Sequence, residues 1–174
     1  MWHKLKKGID RLNEEVGKTV SWLTTILVLL VCFDVVIRYI FNDTQAWIRE
    51  LEWHLFALVF LLGAGYAFQH DRHVRVDVFY SKFTPKEKAW VNLVGGVVLL
   101  LPWCILVMYY AFDFALLSYK IGETSPDPGG LPALYVIKFS VCIGVFLLFL
   151  QGISSIIESV ETLQADASDD KITE

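Results

Sequence analysis

Ionisable side chains stand inside stretches of this chain that are otherwise apolar enough to cross a membrane. Asp34 and Arg38 lie within residues 20–41, Glu52 and His54 near the start of residues 51–68, and Lys138 within residues 131–157. At membrane depth each such group costs about 2.5–3.5 kcal/mol even on lenient insertion scales, so it needs a partner or a task. Asp34 and Arg38 are spaced i, i+4, which lets one helix hold them as an ion pair. The residues therefore pose a choice between a path for a substrate and a set of points that hold protein against protein.

Other chemistries fail for want of residues. A membrane haem needs axial ligands at depth, usually paired histidines, and His54 is the one histidine within a span, close to its end. Thiol oxidation needs paired, accessible cysteines, whereas Cys32, Cys104 and Cys142 are singletons deep in separate apolar stretches and read as small packing groups. No glycine-rich phosphate loop, metal-ligand spacing or nucleophile-with-base arrangement occurs. The expectation is a protein without catalytic residues, cofactor, metal or nucleic-acid partner.

The elements that must position these charges are membrane spans. The chain is 55% hydrophobic with a mean hydropathy of +0.50, and a span needs roughly 20 mainly apolar residues. Four stretches qualify, at about residues 20–41, 47–68, 89–119 and 131–157. The first has lysines before it like a signal peptide, but its apolar core is too long and no A-x-A-like site follows, so it reads as a retained anchor. Little remains for a soluble domain. The expected fold is an all-α integral membrane domain of four helices over residues 20–157, preceded by an amphipathic segment at 1–19 and followed by an acidic tail at 158–174.

Charge placement orients it. Lys4, Lys6, Lys7, Arg11 and Lys18 precede the first span, and Arg72, Arg75, Lys82, Lys86 and Lys88 sit between the second and third. The other two loops contribute Arg49 and Lys120. By the positive-inside rule, the N terminus and the middle loop face the cytoplasm, and four spans return the C terminus to the same side. Within residues 1–19, Trp2, Leu5, Ile9, Leu12, Val16 and Val20 recur at three- and four-residue steps between charges, an apolar stripe suited to a membrane surface. Between spans two and three, Val74-Arg75-Val76-Asp77-Val78 alternates, and in this setting it reads as a segment along the interface.

Boundary signals agree with the spans. Thr84-Pro85-Lys86-Glu87 has the form of a capping box with proline at the first helical position. Gly122 and the run Thr124-Ser125-Pro126-Asp127-Pro128-Gly129-Gly130 end the third helix and cannot continue it. That helix, about 45 Å long at 1.5 Å per residue, must tilt, project or kink, with Pro102 at its centre.

In this orientation the charges crowd toward the outer half of the membrane. Asp34 and Arg38 come late in an outward span, Glu50, Glu52 and His54 early in an inward one, Asp113 late in an outward one, and Lys138 early in an inward one. Carriers usually show internal repeats and interrupted helices around a midplane site, and neither is evident. The inner half offers no ionisable stepping stones. Glu50 and Glu52, nearest water, read as ordinary exposed carboxylates or as pairing groups. Trp47, Trp53 and Trp90 suit interface anchors, and small residues at helical spacing (Gly63 and Ala67, Ser140 and Gly144) suit close helix contacts.

Five short runs carry a family resemblance. They are Arg38-Tyr39-Ile40-Phe41, Trp47-Ile48-Arg49-Glu50-Leu51-Glu52, Gly63-Ala64-Gly65-Tyr66-Ala67, His73-Val74-Arg75-Val76-Asp77 and Gly130-Leu131-Pro132. In order and spacing the chain resembles the small membrane subunit of tripartite ATP-independent periplasmic (TRAP) transporters, the DctQ-like family, over about residues 20–157. One departure is Arg49-Glu50, where such proteins often carry two adjacent acids.

The resemblance implies a non-catalytic subunit of a bacterial inner membrane. Its partners would be a large multi-span subunit holding substrate and sodium sites, a periplasmic substrate-binding protein, and membrane lipids. The cargo would be an organic acid such as a C4-dicarboxylate or sialic acid. Asp34, Arg38, Trp47, Glu50, Glu52 and Lys138 would pair within the bundle or against the large subunit. His73, Arg75 and Asp77 would order the cytoplasmic loop or meet lipid headgroups. A small homo-oligomeric transporter and a membrane anchor for another complex are the alternative readings.

Overall fold

Four long helices account for most of the chain. The computed structural model describes residues 2–70, 80 and 82–170. Helix α1 spans Trp2–Ile40, α2 Ala46–Gln69, α3 Pro85–Lys120 and α4 Tyr135–Asp170. Each is long and apolar enough to cross a membrane, which follows from backbone demands: in hydrocarbon every N–H and C=O must be satisfied within the segment. Four crossings bring both termini to one end of the molecule, here the terminal end. The opposite end carries Arg38 and the α1–α2 and α3–α4 loops.

Helix α4 is the axis of the assembly. It packs against each of the other three, α1 packs against α2, and α3 packs along α4 without packing along α1 or α2. The arrangement is therefore a three-helix cluster with α3 applied to the far side of α4. Accordingly, 44% of the apolar window of α4 is buried, against 6–11% in the others. Cys104, Val145 and Leu148 form the buried centre of the α3–α4 seam, with Phe68 of α2 at its margin.

The long third helix accommodates its proline locally. Its first turn is the expected capping box: Thr84 N–H donates to Glu87 Oε2 at 2.8 Å and Glu87 N–H to Thr84 Oγ1 at 3.3 Å. Residues Gly96–Leu100 form a π turn, and Leu101 N–H reaches the Gly96 carbonyl. Pro102, just beyond, lacks an N–H and crowds the carbonyl four residues back, and the wider turn accommodates both. The helix ends in a Schellman motif, with Gly122 at φ 61°, its N–H on Tyr119 O at 3.1 Å and Glu123 N–H on Ser118 O at 3.0 Å.

The N-terminal segment is helical, but it continues into the first span without a break. Its bundle-facing side is Ile9, Asn13, Gly17 and Val20, while Trp2, Leu5 and Leu12 of the apolar stripe are exposed. Polar partners on α4 set which side of this segment faces the bundle. Asn13, fully buried, donates to Gln151 Oε1 at 2.8 Å, while Gln151 and Ser154 donate to Asp10 Oδ1 at 2.9 and 2.6 Å. Lys6–Glu158 at 3.1 Å and Lys86–Asp166 at 2.6 Å extend the contact toward the terminal end.

Gly144 brings α4 close to the backbone of α2. A Cβ there would stand 2.5 Å from the backbone oxygen of Leu61, whereas one on Gly63 would meet Val20 at an ordinary 3.9 Å. Gly144→Leu should therefore destabilise the fold by about 1–3 kcal/mol through overpacking, while Gly63→Ala should be tolerated. Thermal unfolding in mild detergent distinguishes the two, and equal melting temperatures would refute this account of the α2–α4 seam.

Candidate functional site

Charged residues at the Arg38 end are met by partners from other elements. Asp34 is 3% exposed and accepts from the Arg38 guanidinium one turn later. The i, i+4 spacing makes the pair, and burial of one member makes it matter, since a desolvated carboxylate without its cation costs several kcal/mol. Arg38 is 42% exposed along its side chain, so its guanidinium also faces outward from the bundle. Glu52 of α2 lies within electrostatic reach of both residues. Its Oε1 is buried and has no hydrogen-bond partner among the described residues. Two carboxylates and one guanidinium thus share a single cross-helix locus.

Glu50 is not the exposed carboxylate that its nearness to the helix start suggests. It is 8% exposed and turned toward the α3–α4 loop. Its Oε1 accepts from the Ser125 hydroxyl, and its Oε2 accepts from Leu131 N–H at 2.6 Å. These two donors bracket a tight turn. Gly130 N–H donates to Asp127 O at 2.9 Å, Pro128 occupies the second position, and Gly129 takes φ 75°, which together make a type II turn. Ser125 N–H to Leu131 O at 3.1 Å closes its base. A side chain at 130 would run into Ser125 and come within 2.7 Å of Glu50 Oε1, so the clamp requires glycine there. One carboxylate of α2 thus fixes a loop that belongs to α3 and α4.

Lys138 secures the same loop from α4. Its ammonium pairs with Glu123, is 15% exposed as a side chain, and stands 3.9 Å from the centroid of the Phe114 ring. Leu134 N–H to Glu123 O at 3.1 Å ties the loop's ends together. The hydrogen bond from Lys138 holds the Glu123 carboxyl below its usual range, and partial burial opposes it. Trp47, in the first turn of α2, is 39% exposed, and His54 faces back onto the Glu50 carbonyl at 2.6 Å.

Among the candidate residues, the structure brings Asp34, Arg38 and Glu52 to one locus and Glu50 and Lys138 to another, the anchored loop. Trp47 joins neither by a polar contact among those described. His73, Arg75 and Asp77 lie outside the described residues. Sequence reasoning missed Glu123 and Ser125 as partners. Their signal was present in the Gly122 stop and the Pro-Asp-Pro-Gly-Gly run, which predicts a turn whose flanking polar groups need partners. Asn13 and Gln151 gave only the weaker signal of polar residues on apolar helix faces. Among the described residues, no group of three His, Cys, Asp or Glu side chains is placed to hold a metal ion.

Comparison with known proteins follows the same lines. Residues 27–162 match the family model described as "Tripartite ATP-independent periplasmic transporters, DctQ component". A Haemophilus influenzae protein named as a TRAP transporter small permease protein is 26% identical over 148 residues, covering 85% of this chain and 90% of that protein.

Two outcomes test the loop anchors. Glu50→Ala leaves the Ser125 hydroxyl and Leu131 N–H unmet, so hydrogen exchange across residues 123–131 should accelerate roughly tenfold or more while circular dichroism of the helices is unchanged. Unaltered exchange would remove Glu50 as the anchor. Glu123 has a depressed pKa in the fold, so its contribution is complete above the ordinary carboxylate value of about 4.3 and is lost as pH falls through the folded value. The melting-temperature gap between the parent and Glu123→Gln should therefore be constant near neutrality and shrink below about pH 4.

Proposed function

The chain belongs to the DctQ family of small TRAP transporter subunits, and from that membership we propose that it is a non-catalytic part of the transporter's static scaffold. In this reading it binds a large multi-span subunit that carries the substrate and sodium sites, and a periplasmic binding protein delivers an organic acid of the C4-dicarboxylate or sialic acid class. The protein sits in the bacterial inner membrane. The observation that carries the proposal is the family match across residues 27–162, which reaches into all four helices.

Orientation follows from charge. The lysines and arginines before α1 and between α2 and α3 assign the terminal end to the cytoplasm. The Arg38 end is then periplasmic, and the anchored α3–α4 loop is presented to the binding protein. Rigid presentation suits repeated docking, because a preorganised loop loses less conformational entropy on each encounter. The Asp34–Arg38–Glu52 locus lies at membrane depth with the guanidinium partly exposed. It supplies a hydrogen-bonding contact for the large subunit, where an unmatched polar group would be costly.

Purification of the tagged chain in mild detergent tests the proposal. A large multi-span protein should be recovered in a one-to-one ratio. Arg38→Ala should reduce that recovery, and uptake with it, several-fold, with Arg38→Lys intermediate because one ammonium cannot reproduce the guanidinium fork. A homodimer active alone in liposomes would refute the scaffold assignment. Full complex yield and uptake with Arg38→Ala would refute the role of the locus.

A further inference from the structure

Because α3 packs on α4 but not along α2, a groove of about 680 Å³ opens along α3, with Gly152 and Ser155 of α4 as its floor and Phe68, in the last turn of α2, at its margin. Its walls are apolar, from Val91 and Leu99 to Trp103, and its floor is drawn close where Gly152 faces Leu100 and Gly96 faces Ile156. From Asn92 to Trp103 the helix rises about 17 Å at 1.5 Å per residue. That matches one leaflet of a hydrocarbon core about 30 Å thick. At the end where α2 stops and α3 starts, the groove runs into a polar recess, sharing Phe68, Asn92 and Ser155 with it.

The recess has the chemistry of a headgroup site. Lys88 lines it as a cation, with Glu158 in the same wall paired to Lys6 at 3.1 Å, and the Lys88 ammonium stands 5.5 Å from the Tyr80 ring centroid. The buried side-chain carbonyl oxygen of Gln69, also in its wall, accepts no hydrogen bond among the described residues. Asn92 and Ser159 add further polar groups. A cation for a phosphate, an unmet acceptor for an N–H or O–H donor, and an apolar trough one leaflet deep describe a single occupant.

We propose that this groove holds one phospholipid, its acyl chain along α3 and its phosphate at Lys88. The unmet acceptor selects a headgroup that carries a donor, such as ethanolamine or glycerol, over choline, which has none. The lipid fills the gap that the helices leave and completes the packing of α3. This proposal does not depend on the transporter assignment.

The test places the full chain in nanodiscs of ethanolamine, glycerol and choline phospholipids with identical acyl chains, followed by detergent extraction and native mass spectrometry. One lipid per chain should survive, with at least a threefold preference for the donor-bearing headgroups, the size expected of one hydrogen bond. Gly95→Trp projects into open space, with nothing within 4 Å of its Cβ, and should cut retention about tenfold at an unchanged melting temperature. If that variant fails to fold, Leu99→Trp fills the groove from a side chain already 70% exposed. Lys88→Ala should weaken retention of all three lipids. Retention unaffected by filling the groove would overturn the proposal. So would a Leu99→Cys probe that cross-links to a second polypeptide in membranes and never to a photoactivatable phospholipid.

Discussion

The carboxylate of Glu50 joins parts of the chain that packing leaves apart. Helices α2 and α3 share no packed face, so at the Arg38 end their relation is set by Glu50 reaching the loop that follows α3. It accepts from Ser125 and Leu131 on either side of the type II turn. At the terminal end no comparable tie is described, and there a groove opens along α3, beside Lys88 and past the last turn of α2. A closed square bundle would need neither the tie nor the gap. Both follow from α4 taking all three other helices as neighbours.

The cost of charge in hydrocarbon explains how the polar groups are distributed. Asp34, Glu50 and Lys138 each meet a partner, and in two of these cases the partner comes from the α3–α4 loop. That choice lets one set of contacts neutralise membrane-depth groups and rigidify a loop beyond the membrane. Arg38 differs, since it satisfies Asp34 while much of its surface still faces outward. A residue whose desolvation is only half complete within the subunit gains most from a second partner. This is why the proposed contact with the large subunit falls on Arg38 rather than on Lys138, which is enclosed by Glu123 and the Phe114 ring.

The sequence makes the spans legible because length, hydropathy and caps all point the same way. Thr84-Pro85-Lys86-Glu87 and Gly122 place the ends of α3 correctly, since local hydrogen bonding alone decides them. The i, i+4 pair Asp34–Arg38 is equally local. Local sequence leaves Glu50 open between exposure and pairing, because its burial depends on a loop more than 70 residues away in the chain, with |i−j| of 75 for Ser125 and 81 for Leu131. The same limit applies to Asn13 and Gln151, which meet across |i−j| of 138. Hydrophobic periodicity on α1 marks a stripe suited to a membrane surface, and the face turned to the bundle is set by a polar pairing that periodicity does not report.

That polar pairing bears on how the terminal end keeps its shape. Helix α1 is 39 residues long, about 58 Å at 1.5 Å per residue, so its first turns project past a core about 30 Å thick. Beyond the core, water competes for every hydrogen bond, and apolar packing must hold the projection or polar contacts must be shielded. The chain takes the second course. Asn13 is fully buried, Gly17 lies flat against Tyr66, and Asp10 gathers two donors from α4. Directional bonds of this kind fix the axial register of α1 on α4 in a way that a smooth apolar stripe would not, because sliding by one turn would strand Asn13 and Asp10 without partners. Register at the terminal end is transmitted along an unbroken helix to Asp34 and Arg38, so the polar contacts at one end help to position the ion pair at the other.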